Sequence, residues 1–545
     1  VAFGGKAGVG LGVGANMLGT STMPTVTQAY IADSTLEMDG GDLTVSAINE
    51  DAGNDPRIVA IGAGISAGLN DSTFGLGVNL SINLIYADTN AYLKGSSVTE
   101  VAGSGLVADP TLVSVTVTAK DTSSIFTVGG GVGISANALG AAIAINIIDN
   151  DVAAYLDDTS TDIDGDLIVQ ADATSDIYSF SLGVAANISS EGKIAGAGSV
   201  SVNQLGGATE AYISGGTSHS VVADGQVKIT ADNQSTIEAI AGGISLAIPF
   251  ISGTSDASGA GGGTASGAVG VSVSANQIGK DQDRAETVAY IDGLSVESDG
   301  DIVLQATAIL AINAVTFGGA GSITAGKDSN RKFVGTGAGA GSGNSIWSRT
   351  KAYIANSTKT GSYGVLSNDG KVSLTASDDS TVTADAGGVA LALKLGKGSG
   401  AELAIGIGGA TNEIHSEIDA SISDSSVKAK GDVTLDADMQ PVGNDASIRA
   451  LTFGVGVQVT PAKGSGLNLG GGAGFSINTI RNTLNAGISD NSDVVSGSGS
   501  VKLTASDRST IDADAAGIGI MLKFGQGSGA NAGLGIGVAL NDIQN

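Results

Sequence analysis

The chain has no cysteine and little proline, histidine or tryptophan. Without cysteine it can form neither disulfides nor thiolate metal sites, which suits a chain that is exported unfolded. The two histidines, His219 and His415, lie in dissimilar settings, so they cannot build a Ser–His–Asp or metal triad and we expect both at the surface. Aromatic residues make up only 4% of the sequence, and they are dispersed rather than gathered as in the cleft of a polysaccharide-processing enzyme.

Glycine and apolar residues are abundant instead, with 86 glycines in 545 residues and 42% apolar residues. The glycines lack the period of collagen, and patterned apolar residues exclude a disordered chain. Between Ala384 and Ile418 the sequence alternates, placing Val389, Leu391 and Leu395 on one face and Ala390 on the other. Period-two alternation predicts β-strands. We expect the aliphatic face to be buried, and the flat Gly/Ala face either to pack against another chain or to be covered within its own repeat.

The net charge of −29 excludes some partners. Such a surface repels nucleic acid and disfavours adsorption to anionic membranes. The stretch from Thr122 to Ile148 has no charge, yet it contains three consecutive glycines and alternates with period two, so we expect no membrane-spanning helix. The sequence begins at Val1 inside one strand pattern and stops at Asn545 inside another, which predicts a fragment of a longer chain.

Three markers recur in a fixed order and predict tandem repeats of about 66 residues. The first is Asn-x-(Ile/Leu), at Asn16, Asn83, Asn146, Asn203, Asn276, Asn344, Asn412, Asn478 and Asn541. The second is Ala-Tyr-(Ile/Leu), with Tyr30, Tyr92, Tyr155, Tyr212, Tyr290 and Tyr353, degrading to Ser-Glu-Ile around Glu417 and Ala-Gly-Ile around Gly487. The third is a turn and strand resembling Gly-Asp-Leu-Thr-Val-Ser-Ala at 41–47, with copies at 165–171, 225–231, 300–306, 370–376 and 431–437 and weaker ones at 113–119 and 501–505.

We therefore predict an all-β chain, an elongated β-solenoid of about eight tandem repeats with four strands per repeat. A unit of this size with one apolar face cannot close its own core, so units must stack. No linker interrupts the chain, and residues 1–545 form a single continuous array. The approximate repeats are 1–67, 68–130, 131–187, 188–260, 261–328, 329–396, 397–462, 463–525 and a partial one at 526–545.

Two markers leave alternatives open. If one repeat is one coil, the asparagines stack about 4.8 Å apart as an amide ladder. If a repeat holds two or more narrower coils, the asparagines are too far apart to touch. The alternative to a ladder is that each asparagine caps a turn by bonding its own backbone. The tyrosines form either an exposed strip for carbohydrate stacking or a buried ladder with hydroxyls at the rim. We favour the buried ladder, because a small alanine precedes and an aliphatic residue follows each tyrosine.

Other candidate sites have stronger structural explanations. The acidic segment 149–166, with Asp162, Asp164 and Asp166, resembles a calcium loop, but the spacing is incomplete and we favour solvated turn acids. The glycine runs 129–133 and 335–343 lack the Gly-Lys-Ser/Thr and the helix of a phosphate loop. A local cluster of basic and aromatic residues could bind a ligand, although we favour an irregular insertion; its members are Arg331, Lys332, Phe333, Trp347, Arg349, Lys351 and Tyr353. We assign no catalytic, cofactor-binding or metal-binding residue.

The ordered markers Asn-x-Ile, Ala-Tyr-Ile and Gly-Asp-Val-x-Val-x-Ala resemble the repeat region of giant bacterial filamentous adhesins, the type V-secreted surface proteins with leukotoxin-like and haemagglutinin-like members. The resemblance covers essentially the whole chain. It implies a non-catalytic shaft of a secreted fibre at the bacterial cell surface, with a role in attachment or matrix formation. The expected partners are further copies of the chain, packed laterally or end to end, and a cell-surface or matrix ligand. No secretion-recognition domain, translocator barrel or Arg-Gly-Asp accompanies the repeats.

Two other functions remain open on the sequence. One is a self-assembling extracellular filament that bundles through the Gly/Ala-rich sheet faces. The other is a β-helix enzyme that processes polysaccharides, which requires a cleft with clustered acids.

Overall fold

The computed structural model describes residues 2–4, 7–50, 56–68, 74–101, 112–187, 194–248, 266–324, 333–359, 362–395, 400–440, 446–460, 466–525 and 529–545. Strands make up 83% of the structure, and no helix occurs in these ranges. The protein is therefore all-β, as predicted.

The strands are, in chain order, β1 Ala2–Gly4, β2 Ala7–Leu18, β3 Thr25–Ala32, β4 Thr35–Met38, β5 Leu43–Asn49, β6 Ile58–Gly68, β7 Phe74–Lys94, β8 Ser97–Glu100, β9 Val115–Ile134, β10 Asn137–Asp157, β11 Ser160–Ile163, β12 Leu167–Asn187, β13 Ile194–Gly206, β14 Ala208–Ser214, β15 Ser220–Ala223, β16 Val227–Ala247, β17 Ser266–Ile278, β18 Ala285–Asp292, β19 Ser295–Ser298, β20 Ile302–Thr324, β21 Phe333–Ala355, β22 Thr358–Lys359, β23 Ser362–Tyr363, β24 Val365–Ser367, β25 Val372–Asp378, β26 Thr381–Lys394, β27 Ala401–Ser423, β28 Ser426–Ala429, β29 Val433–Met439, β30 Ile448–Thr460, β31 Asn468–Arg481, β32 Thr483–Ser489, β33 Asp493–Ser496, β34 Val501–Asp507, β35 Ile511–Lys523 and β36 Asn531–Gln544.

Three parallel sheets contain all of these strands except the small antiparallel hairpin β22–β23. Sheet A comprises β1, β5, β6, β9, β12, β16, β20, β25, β26, β29, β30, β34 and β35. Sheet B comprises β2, β3, β7, β10, β13, β14, β17, β18, β21, β27, β31, β32 and β36. Sheet C contains the short strands β4, β8, β11, β15, β19, β24, β28 and β33. Long parallel sheets of this kind are consistent with a β-helix or β-solenoid.

The pairing register keeps equivalent markers side by side. In sheet B, Asn146 pairs with Asn83 on one side and Asn203 on the other, and Tyr155 pairs with Tyr212. In sheet A, the alanine that ends the third marker pairs with its counterpart in the next strand throughout, as Ala171 does with Ala231. The prediction that Ser-Glu-Ile around Glu417 is the degraded copy of the tyrosine marker is wrong. Tyr353 pairs instead with Ser421, in the sequence Ala-Ser-Ile.

The dimensions of the sheets follow from strand geometry. Nine successive strands of sheet B, from β2 to β36, span about 38 Å across the strands at about 4.8 Å per step. The 23-residue strand β21 is about 76 Å long at about 3.3 Å per residue. Sheet B is thus longer along this strand than across its nine successive strands.

The core has two parts that differ in thickness. Where sheet C joins sheets A and B, large aliphatic side chains fill the interior, including the fully buried Leu156, Val169 and Val221. Towards the Gly/Ala-rich ends of the strands, sheets A and B converge and the interior contains a cluster of buried alanines such as Ala390 and Ala404. A Cβ added to Gly388 of sheet A would collide with the backbone carbonyl of Ile407 in sheet B.

The prediction that the aliphatic face of residues 384–418 is the buried one is therefore wrong. Ala390 and Ala392 are buried, whereas Val389 and Leu391 are exposed by 43% and 39%. At positions such as Gly388 the converging backbones leave no room for even a Cβ atom between the sheets, so the large aliphatic side chains of this stretch point outwards. The Gly/Ala face is covered within the chain, which was one of the two alternatives.

The structure contains no helix long and apolar enough to cross a membrane in the ranges it describes. Residues 122–148, the longest uncharged stretch considered above, lie mainly in strands β9 and β10.

Candidate functional site

The asparagines of the first marker form one continuous row of side-chain hydrogen bonds in sheet B. Each Nδ2 donates to the Oδ1 of the next asparagine at 2.8 Å, from Asn16 through to Asn541. The inner members are fully buried, and a nearby hydroxyl accepts the second hydrogen of some of them, as Ser342 does from Asn344. Of the two alternatives for this marker, the amide ladder is the one that the structure shows.

The six tyrosines of the second marker also form a ladder, but on the outside of sheet B. Their rings stack with centroid separations of 4.7 to 5.1 Å. Tyr212 is half-buried, whereas its neighbours Ala211 and Ile213 take the core side and are fully buried. The predicted buried ladder is wrong, because successive side chains of a strand point to opposite faces and the aliphatic neighbours already occupy the inner one.

Stacking changes what these tyrosines can do. Each inner ring has its two faces covered by the rings before and after it, so no face is free to stack on a sugar. Burial, followed by the charge of neighbouring tyrosines and acids, raises the pKa of the Tyr212 and Tyr290 hydroxyls. Tyr212 and Tyr290 therefore stay neutral, and their rings contribute to a continuous stack on the outside of sheet B.

A third row has a clear signal in the sequence that the marker analysis missed. Three residues after each tyrosine position the backbone takes a positive φ, between 43° and 157°, and only Gly, Asp or Asn occurs there. Their small or locally hydrogen-bonding side chains tolerate this left-handed conformation. The residues are Asp33, Gly95, Asp158, Gly215, Gly293, Asn356, Asp424 and Asp490. The row marks the corner where sheet B passes into sheet C.

The acidic residues at the turns before the sheet A strands connect successive repeats. Asp166 Oδ1 accepts a hydrogen bond from the backbone amide of Gln226 at 2.9 Å, and Asp301 and Asp432 accept in the same way from Lys371 at 3.0 Å and Ser500 at 2.7 Å. Asp164 accepts from the amide of Val113 at 2.5 Å. Three of these acids, including Asp166, belong to the third marker. Their carboxylates satisfy backbone donors of neighbouring turns, a role more specific than that of solvated acids.

The acidic segment does not assemble a metal site in the part of the chain that the structure describes. No group of three or more His, Asp or Glu side chains there converges to hold a metal ion. Asp162 is exposed, whereas Asp164 and Asp166 are half-buried.

The two histidines have different environments. His219 is partly exposed at the corner near Asp158, at 3.9 Å from its carboxylate. His415 is buried under Trp347, with ring centroids 3.8 Å apart, and burial lowers the pKa of its imidazole. The surface position expected for His415 is therefore wrong.

The basic and aromatic cluster is part of a regular strand rather than an insertion. Arg331 and Lys332 lie outside the described residues, and the remaining members occupy β21. Arg349 Nε lies 3.2 Å from Glu417, whose other carboxylate oxygen lies 2.6 Å from Lys351. Although burial opposes ionisation, these two cations hold the pKa of the Glu417 carboxyl below its ordinary value.

The other aromatic members of this cluster are used within the chain. Trp347 stacks on His415, and the Arg284 guanidinium lies 5.6 Å from the Trp347 ring centroid. Tyr353 is the last ring of the tyrosine ladder. Among these described members only Phe333 is exposed, by 43%.

The glycine runs lie inside strands. Gly129–Gly133 belongs to β9 and Gly335–Gly343 to β21, so neither is a loop that could wrap around a phosphate. In β21 the glycines alternate with inward residues such as Ala338 and Ala340, and the outer surface of the strand between Gly335 and Gly343 is bare backbone.

Two buried polar clusters bridge sheets A and B. Asp378 in sheet A accepts a hydrogen bond from Ser348 of sheet B at 2.6 Å, and burial raises the pKa of its carboxyl. At the thin end of the core, Lys394 and Glu402 form a buried ion pair at 3.4 Å. Each cluster is enclosed by the fold and links a residue of sheet A to one of sheet B.

Comparison of the chain with protein-family models, with curated proteins and with solved structures finds no match.

Proposed function

We propose that the chain is the non-catalytic repeat shaft of a secreted bacterial surface fibre or adhesin that mediates attachment or matrix formation. The asparagine ladder carries the proposal, because it joins every copy of a marker that recurs along the chain. Its eight bonds connect residues 57 to 73 positions apart. A chain that makes the same contacts in every repeat can extend to great length and bear mechanical load, and it is less suited to catalysis.

In this proposal one repeat of about 66 residues is one coil of a β-solenoid. Each coil has four strand segments: the Asn segment, the Tyr segment, the short corner strand and the segment of the third marker, which continues into the next Gly-rich stretch. Some segments merge, as in β10, which contains both Asn146 and Tyr155. Eight such coils form one array without a domain boundary.

Deletion of whole and partial coils tests the shaft. Removal of residues 344–411 takes out one whole repeat and places Asn412 where Asn344 stood, so the asparagine ladder stays continuous. This variant should remain stable and unfold cooperatively. Removal of 344–377 deletes half of that length, breaks the register, and should abolish cooperative unfolding. If both deletions behave alike in thermal unfolding followed by circular dichroism, the repeat proposal is wrong.

Attachment needs a separate experiment. Beads coated with the chain should be retained on a surface of matrix protein or bacterial polysaccharide more strongly than beads coated with albumin. Release of reducing sugar from the polysaccharide would favour the enzyme alternative instead.

The alternative of a self-assembling extracellular filament is favoured by one observation: large aliphatic side chains line the outside of the thin part of the protein. Association through the Gly/Ala faces is not available to it, since the opposing sheet of the same chain covers them.

A further inference from the structure

One outer surface combines size, flatness and an absence of charge. It comprises the five outward positions that precede the ladder asparagine in each of the strands β2, β7, β10, β13, β17, β21, β27, β31 and β36, and we call it the apolar face of sheet B. Of all these positions only Asn137 and Thr411 are polar, and none is charged. The chain as a whole has a net charge of −29, so this face is set apart from the rest of the surface.

The side chains of this face are accessible. Val269, Val271 and Val273 of the central strand β17 are exposed by 47%, 43% and 43%. On β27, Ile405 and Ile407 are exposed by 37% and 41%. They project outwards because the inner side of the same strands accommodates only small residues.

The area of the face is that of a protein interface. Five alternate positions extend about 27 Å along each strand and nine strands span about 38 Å, which gives roughly 1,000 Å². The largest apolar patch of an ordinary monomer is about 300–600 Å². A standard interface buries about 800 Å² on each partner, so this face alone is large enough.

The size of the side chains varies from strand to strand across the apolar face of sheet B. The outward positions of β21 in this face are five glycines; Gly337 and Gly341 have open space above them, whereas the ring of Phe333 lies over Gly335. The valines of β17 and the isoleucines of β27 border this strand on either side. Elsewhere large neighbours fill the gaps above glycines, as the ring of Phe475 does above Gly409. The result is a flat sheet surface with one open furrow.

We infer that the apolar face of sheet B packs against the same face of a second copy of this chain. Two such faces have the same strand spacing and no charge, so they can approach to the sheet-to-sheet distance of about 10 Å without repulsion. A two-fold axis makes the contact closed and isologous. The outer face of sheet A is a poorer candidate, because Asp385 and Asp514 lie in the same cross-strand row as Ile240 and narrow its uncharged area.

A lipid surface is the competing occupant, and the distribution of charge disfavours it. The acids at the corner and the turns, such as Asp158 and Asp432, give the chain its negative field, which an anionic membrane surface repels. A second copy covers the apolar face and leaves these acids in water.

Sedimentation equilibrium of the 545-residue chain tests the inference. Over a concentration series the wild type should reach twice the mass of one chain. The double variant Val271→Lys/Val273→Lys should associate at least about 100-fold more weakly, since each chain would bury two unpaired ammonium groups at the centre of the contact. The matched control Ile240→Lys/Ile244→Lys, with side chains exposed by 40% and 42% on sheet A, should associate as the wild type does.

Both variants should unfold at nearly the wild-type temperature, because the substituted side chains point outwards. Wild-type protein at single-chain mass throughout the series would overturn the inference. Equal association of the face variant and the wild type would overturn it too, as would equal loss in the control. Single chains that float with phosphatidylcholine vesicles would assign the face to lipid instead. None of these outcomes bears on the coil-deletion experiment, so failure of this inference leaves the proposed shaft intact.

Discussion

Asn276 donates a hydrogen bond from Nδ2 to Oδ1 of Asn344 at 2.8 Å, although 68 residues separate the two. Both amides are buried. Asn344 in turn donates to Asn412, so each amide is at once an acceptor and a donor. Adjacent parallel strands thus share a polar bond inside the core, and this bond fixes their register, because a slip by one residue would bury unpaired amides.

Replacement of Asn344 by alanine should destabilise the fold strongly. The change leaves Asn276 without an acceptor and Asn412 without a donor, at about 1–3 kcal/mol for each unpaired buried group. Denaturant unfolding measures the loss, with Ser345→Ala on the outer side of the same strand as the control. A loss no larger than that of the control would show that the ladder contributes nothing.

The row of positive-φ residues at the corner between sheets B and C should tolerate glycine but not β-branched side chains. Asp424 has φ 43° and is exposed, so Asp424→Ile should cost about 1–3 kcal/mol through backbone strain. Asp424→Gly should be tolerated, because glycine adopts this conformation readily. Thermal unfolding of the two variants distinguishes strain from loss of the carboxylate; equal destabilisation would refute the backbone explanation.

The tyrosine ladder should stabilise through its rings and not through its hydroxyls. Tyr212 stacks on Tyr155 at 4.8 Å and on Tyr290 at 4.7 Å. Tyr212→Ala should lose about 0.5–1.5 kcal/mol for each stacked contact in addition to buried area. Tyr212→Phe keeps both contacts and should unfold like the wild type. A large effect of the phenylalanine variant in denaturant unfolding would contradict this assignment.

Asp379 should make stability depend on pH in the direction opposite to that of a salt-bridged acid. Burial, together with the nearby Asp378 and Asp438, raises the pKa of its carboxyl to about 6. Between that value and the ordinary 3.8 the folded chain holds a proton that the unfolded chain releases, so this group's contribution to stability falls as pH rises through the window.

Asp379→Asn should therefore melt above the wild type at neutral pH, and the difference should disappear as pH falls towards 4. The exposed Asp424→Asn provides the charge-matched control. A melting-temperature difference that stays constant across the pH series would contradict the raised pKa.

The sequence by itself determined the strand class and the register of the markers. Period-two alternation fixes which residues share a face, and the recurring Asn-x-Ile and Ala-Tyr-Ile fix which residues are equivalent. The Gly, Asp or Asn three residues after each tyrosine was also readable in advance, since only these types tolerate a positive φ.

Which face of a strand is inside was decided only by the tertiary structure. Alternation is symmetric: Val389 and Ala390 define two faces, but not which of them meets another sheet. The distance between sheets A and B made that choice. Because their backbones converge where glycines such as Gly388 and Gly406 recur, alanine is enclosed there and the larger aliphatic side chains are left on the surface. The same packing put the tyrosines outside and buried His415, since both depend on how strands that are distant in the sequence come together.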